Sequence, residues 1–77
     1  MPKLPVLSPA KVAKALERAG FVFIRQRGSH KIYVKESLGV TIPFHNKDLR
    51  KGTLKNIIKQ SGLALESFLT RLKISLS

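Results

Sequence analysis

Two short glycine-containing turns, at residues 27–29 and 36–39, divide the stretch 21–43 into three segments rich in β-branched and aromatic residues. Segments of this kind are typical of β-strands, and turns this short join neighbouring strands that run antiparallel. The predicted strands cover residues 21–26, 30–35 and 40–42. Pro43 ends the third strand because proline has no N–H to donate to a sheet. The turns therefore predict a three-stranded antiparallel sheet.

Helical periodicity flanks the strands on both sides. Ser8 and Pro9 are typical of a helix start and Gly20 of a helix end, and apolar residues recur between them at a spacing of three and four. Two further amphipathic segments follow the strands and are separated by Gly62. The predicted helices cover about residues 9–19, 51–61 and 65–72. The order α-β-β-β-α-α predicts an α+β fold, in a single domain over residues 1–77, with the helices packed on one face of the sheet.

The charge of the chain indicates its class of partner. Fifteen Lys and Arg residues against four acidic ones give a net charge of +11. A basic balance of this size costs stability through self-repulsion and is typical of proteins that bind nucleic acid. The cations are spread over all elements and not along one long helix, so we expect no membrane partner. The absence of cysteine and of an apolar leader favours a cytoplasmic protein.

Several classes of active site lack the residues they need. The four acidic residues are isolated along the chain, which argues against a two-metal nuclease. Two histidines fifteen residues apart, without cysteine, argue against a zinc site. The sequence contains neither the elbow motif of serine hydrolases nor the glycine-lysine spacing of phosphate-binding loops. We therefore expect neither a metal nor another cofactor.

His30 is the strongest candidate for a reactive residue, because it opens the second strand directly after a Gly-Ser turn and among cations. Metal-free cleavage of RNA needs a base for the 2′-hydroxyl proton, cations for the charge on the phosphate and an acid for the departing 5′-oxygen. Histidine suits the base because its ordinary pKa lies near neutrality. The nearby candidates for phosphate binding are Arg25, Arg27, Gly28, Ser29 and Lys31. The glycine allows close backbone approach, and the serine offers a hydroxyl and an N–H.

The residues alone leave two questions open. The candidates for the acid are His45, Lys31, Tyr33 and water, and His45 otherwise has the setting of a solvated loop residue. Strict alternation places His30 with Ile32 and Val34, which we expect on the helix-covered face, and Tyr33 on the exposed face. His30 would then be a partly packed structural residue, and the protein a small RNA-binding module without catalysis. As the first residue of its strand, His30 can instead lie at the rim of the sheet.

Lys55 and Lys59 form a basic row with one-turn spacing on the second predicted helix. Proteins that bind double-stranded RNA lay such a cationic helix face across the phosphates. We therefore add both lysines to the candidate RNA-binding residues.

Three segments of the chain, in register, resemble the HicA family of mRNA interferase toxins. They are Gly20-Phe21, the sequence RQRGSH at 25–30 and the sequence GTLKNIIKQSGL at 52–63, and the resemblance extends over about residues 7–72. It implies a fold like that of double-stranded-RNA-binding domains, and a toxin of a type II toxin–antitoxin system that cleaves mRNA with His30 as the catalytic residue. It also implies a HicB-type antitoxin. We expect that partner to be acidic and to cover the His30 region, because complementary charge speeds and orients docking.

Overall fold

The computed structural model describes residues 5–45 and 47–76, with side chains through Leu72. The elements are α1 (Pro9–Arg18), β1 (Val22–Arg27), β2 (His30–Lys35), β3 (Leu38–Pro43), α2 (Lys51–Ser61) and α3 (Leu65–Leu76). The predicted α+β fold and element order are confirmed. The third strand begins two residues earlier than predicted because a two-residue turn, with Glu36 at a φ of 55°, lets Leu38 pair with Lys35. The third helix extends four residues beyond its predicted end.

The helices cover one face of the sheet. α2 packs mainly on β3, and α1 packs on α3, where the side chain of Phe68 is fully buried. The side chain of Ser8 caps α1 by accepting a hydrogen bond from the N–H of Lys11, at an N···O distance of 3.3 Å. Among the residues described, none of the helices is long and apolar enough to cross a membrane.

The strands run antiparallel in the order β1-β2-β3, so β2 is central and β1 lies at an edge with all six residues exposed. Val40 and Ile42 of β3 are 0% exposed and lie against the helices. Tyr33 lies opposite Val40 and is only 4% exposed, so it belongs to the same helix-covered face.

The predicted assignment of the two faces of β2 is therefore wrong. Ile32 and Val34 are half-buried on the face away from the helices, and Tyr33 is buried beneath them. Lysine side chains make this arrangement possible because their long apolar stems can line a core while their ammonium groups reach its rim. The ammonium of Lys35, on the Tyr33 side of the strand, donates to the carbonyl oxygen of Ala19 at the end of α1, with an N···O distance of 2.6 Å.

Candidate active site at the histidine pair

A bulge in β1 determines which face carries its arginines. Phe23 lies opposite Tyr33 and Arg25 opposite Ile32, so β1 advances two residues while β2 advances one. An extra residue of this kind moves the following side chains to the other face of the sheet. Arg25 and Arg27 therefore lie on the face away from the helices, whereas the Phe23 ring contacts the Tyr33 ring, with 5.7 Å between centroids.

His30 lies on the same open face as the two arginines. It is the first residue of β2 and is flanked by Arg27 on β1 and Pro43 on β3. Its side chain is exposed. The prediction that strict alternation places His30 on the helix-covered face is therefore wrong. The structure brings His30, Arg25 and Arg27 together at one end of the sheet.

The segment after β3 brings His45 to His30. The N–H of Phe44 donates to the carbonyl oxygen of Ser29, at an N···O distance of 2.6 Å, which keeps the chain beside β2 beyond the end of the strand. Side chains continue to alternate between the two faces of the sheet beyond Pro43, so the side chain of His45 lies on the same face as that of His30. The two imidazole centroids are 6.3 Å apart, and the ring planes make an angle of 77°. Both rings are exposed. The two histidines of the sequence thus form a pair.

Sequence reasoning gave His45 no role beyond one of several candidate acids. The signal that could have found the pair is spacing: Pro43 lies opposite His30, and His45 is two residues further along the same extended segment. Using that spacing requires knowing which residues of β2 and β3 pair with each other, and the sequence alone does not show this.

Lys31 lies on the opposite side of β2 from His30. Its ammonium nitrogen is 4.1 Å from the centroid of the Phe44 ring and 5.9 Å from that of the Phe23 ring. A cation over an aromatic face is attracted by the negative charge of the π-system. Lys31 therefore contacts the residue between Pro43 and His45, and the structure does not place its ammonium beside the His30 ring.

The Gly28-Ser29 turn joins the arginines to His30. Gly28 has a φ of 58°, in the left-handed region that glycine adopts without strain, and a Cβ atom there would meet nothing within 4 Å. Its carbonyl oxygen accepts a hydrogen bond from the side-chain amide of Gln26, with an N···O distance of 2.8 Å. Ser29 is half-buried and supplies the carbonyl oxygen bound by Phe44. The turn thus connects both histidine-bearing segments.

A basic cleft of about 350 Å³ adjoins His45, between the end of β3 and the beginning of α2. It is lined by Pro43, His45, Lys47, Asp48, Leu49, Arg50 and Thr53. Lys55 and Lys59 lie elsewhere, in a row along the exposed side of α2 and away from the buried stripe of that helix. Apart from Lys31, the candidate RNA-binding cations therefore fall into two groups, with Arg25 and Arg27 on the face of His30 and Lys55 and Lys59 along α2.

Tyr33, another candidate acid, lies on the helix-covered face. Burial raises the pKa of its hydroxyl above the ordinary value of 10.0, and the negative charge of Glu17 adds to the increase. A hydroxyl held on this face, with a raised pKa, is poorly suited to donate a proton at the open face. Within the described part of the chain, no three His, Cys, Asp or Glu side chains come together as a metal site would require.

The family of the chain follows from comparison with known proteins. A family model for the HicA toxin of bacterial toxin–antitoxin systems matches residues 9–63, from the first residue of α1 to just beyond α2. A search of curated proteins with the sequence gives no match. The matched part includes the whole sheet, the Gly-Ser-His turn and His45. With more than half of its residues matched, the chain belongs to the HicA family of toxins from bacterial toxin–antitoxin systems.

Proposed function

We propose that this HicA-family toxin is a metal-independent endoribonuclease that cleaves mRNA, with His30 as the general base. The observation that carries the proposal is the exposed His30 ring on the sheet face that also bears Arg25 and Arg27. Because the chain belongs to a family of toxins, an exposed base beside two cations is suited to cleaving the RNA of the cell. The RNA phosphodiester supplies its own nucleophile, so the protein needs no metal-bound water.

The reaction begins when His30 takes the proton from a 2′-hydroxyl. The resulting oxygen attacks the adjacent phosphorus, and the bond from phosphorus to the 5′-oxygen breaks. The 5′-oxygen takes up a proton from an acid or from water as it leaves, and the products are a 2′,3′-cyclic phosphate and a free 5′-hydroxyl. Arg27 is the cross-strand neighbour of His30, and such neighbours have Cβ atoms only about 4.5–5.5 Å apart. Arg27, with Arg25 two residues before it, can therefore neutralise the charge that develops on the non-bridging oxygens.

Binding of the RNA chain uses the cations beyond this centre. The Gly28-Ser29 turn lets the sugar–phosphate backbone approach closely. Lys55 and Lys59 provide sequence-independent contacts to phosphates further along the RNA. Inhibition uses the same surface: the partner is an acidic HicB-type antitoxin that covers the His30 turn and its arginines.

The test compares wild type with His30→Ala on RNA in the presence of EDTA. We expect cleavage to fall by about 10²–10⁴-fold in the variant, while RNA binding and thermal unfolding stay unchanged. Lys14→Ala on the exposed side of α1 serves as a control that removes one charge away from the site. RNA with 2′-O-methyl groups should bind and stay intact because its nucleophile is blocked.

Two results would overturn the proposal. Cleavage at the wild-type rate by folded His30→Ala would remove His30 from the mechanism. A wild-type protein that binds RNA and never cuts it would be the non-catalytic RNA-binding module instead.

A further inference from the structure

The two histidines lie on the same face at one end of the sheet, with 6.3 Å between ring centroids. We propose that His45 is a second catalytic residue, the general acid that protonates the departing 5′-oxygen. This inference rests on the proposed function, in which His30 is the base. Of the other candidate acids, Lys31 is directed to aromatic rings on the opposite side of β2, and Tyr33 is buried under the helices.

The distance between the rings fits a reaction at one phosphodiester. In-line displacement places the attacking 2′-oxygen and the departing 5′-oxygen on opposite sides of the phosphorus, so the base and the acid must approach from two directions. Each needs a ring nitrogen within about 3 Å of the oxygen that it serves. Rings in direct contact would leave no room for a phosphate, and rings much further apart could not both reach it. A centroid distance of 6.3 Å, with the rings at 77°, meets both requirements.

The backbone holds the pair in this arrangement. His30 directly follows Ser29 and His45 directly follows Phe44, and these two preceding residues are joined by the 2.6 Å hydrogen bond. The Phe44 ring is in addition held under the Lys31 ammonium. His45 is therefore fixed relative to His30 although it lies beyond the last strand, and such preorganisation is what acid–base catalysis needs.

The protons balance over the step. Protonated His45 gives its proton to the 5′-oxygen as the bond from phosphorus breaks, and neutral His30 has accepted the proton of the 2′-hydroxyl. The pair ends with its protonation states exchanged and is reset by water. On its own face lie the charges of Arg25 and Arg27 from β1, and those of Lys47, Asp48 and Arg50 from the cleft after β3. The Lys31 ammonium lies on the other side of β2, over the Phe44 ring.

The decisive experiment uses two substrates that differ in the leaving group. Ordinary RNA is compared with RNA in which a sulfur replaces the bridging 5′-oxygen at one linkage, because a thiolate leaves without protonation. We expect His45→Ala and His45→Gln to cleave ordinary RNA about 10²–10⁴-fold more slowly than wild type and to cleave the sulfur linkage within about tenfold of it. His30→Ala should be slow on both, since both need the base.

The pH profile gives a second readout that a purely structural role would not change. The wild-type rate should rise with pH as the base loses its proton and fall again as the acid loses its own. In His45→Ala the fall at high pH should disappear, while the rise at low pH remains. Circular dichroism and thermal unfolding establish that each variant is folded.

The outcomes separate the two proposals. If His45→Ala cleaves ordinary RNA at the wild-type rate while His30→Ala does not, His45 is not the acid and the proposed function stands. Equal losses on both substrates would likewise exclude a role in protonating the leaving group. If wild type cleaves neither substrate, the proposed function fails, and the assignment of His45 fails with it.

Discussion

The ammonium nitrogen of Lys31 lies 4.1 Å from the centroid of the Phe44 ring, on the side of β2 opposite to His30. The contact joins the central strand to the segment that carries His45. The sequence placed Lys31 among the phosphate-binding residues because it follows His30 directly. Its surroundings suit a different role, in which it holds Phe44 and thereby positions His45.

Lys31→Met distinguishes the two roles because it keeps the apolar stem and removes the charge. If Lys31 positions His45, RNA cleavage should fall by about two- to thirtyfold, since a cation–π contact is worth roughly 0.5–2 kcal/mol and 1.36 kcal/mol is tenfold in rate. The salt dependence of RNA binding should stay the same, and Lys31→Arg should retain activity. A shallower salt dependence in Lys31→Met would instead identify a phosphate contact.

The Gly28 turn should be sensitive to any side chain. At a φ of 58° an alanine is strained even though the space around its Cβ is open, so Gly28→Ala should lower the free energy of unfolding by about 1–2 kcal/mol. Gly52→Ala is the matched control, because that site is equally open, has no positive φ and lies in α2. It should raise stability by about 0.5–1 kcal/mol. Urea denaturation measures both, and equal effects would contradict the conformational explanation.

Ionisation of Tyr33 should lower the free energy of unfolding at alkaline pH. Its pKa is raised in the folded state by burial and by Glu17, so its stabilising effect is complete below the ordinary value of 10.0 and is lost as the pH rises through the folded-state pKa. Because the chain has one tyrosine and no tryptophan, phenolate absorbance follows this group alone. In Tyr33→Phe the loss of stability above pH 10.0 should be smaller than in wild type. Identical alkaline profiles would refute the prediction.

Lys55 and Lys59 should contribute to affinity for all RNA sequences alike. For single strands each phosphate contact adds about 0.7 to the slope of log affinity against log salt, so replacing both lysines by Gln should reduce the slope by about 1.4. Cleavage of bound RNA should be unaffected, because the row lies on α2 and the histidines do not. Lys11→Gln with Lys14→Gln, on the exposed side of α1, removes equal charge as a control. Equal slopes for both double variants would mean that only net charge matters.

The antitoxin should protect the histidine end of the sheet. In a complex of the toxin with its cognate acidic partner, we expect slower hydrogen exchange at residues 25–35 and competition between the partner and RNA. Arg25→Ala with Arg27→Ala should weaken the complex, mainly through slower association at low salt. RNA that binds the complex as tightly as the free toxin would point to inhibition by another route.

The elements of the fold were predictable because their signals are local, whereas the site depended on pairing. Turns, caps and periodicity marked each helix and strand within a few residues. The local sequence did not indicate which face of β2 the helices cover. Lys31 and Lys35 look like surface residues in the sequence, and only the structure shows that their ammonium groups contact the Phe44 ring and the Ala19 carbonyl oxygen. The proximity of His30 and His45 depended likewise on the backbone hydrogen bond between Phe44 and Ser29, which are fifteen residues apart in the sequence.

The bulge in β1 makes the register of that strand, as well as its composition, a determinant of the charge around His30. The extra residue is Ile24, which has no paired partner on β2. If the same sequence paired regularly, Ile24 would lie opposite Ile32 and Arg25 opposite Lys31, and both arginines would move to the helix-covered side. A slip of one residue in the pairing would therefore remove both arginines from the histidines while leaving every candidate site residue in the chain.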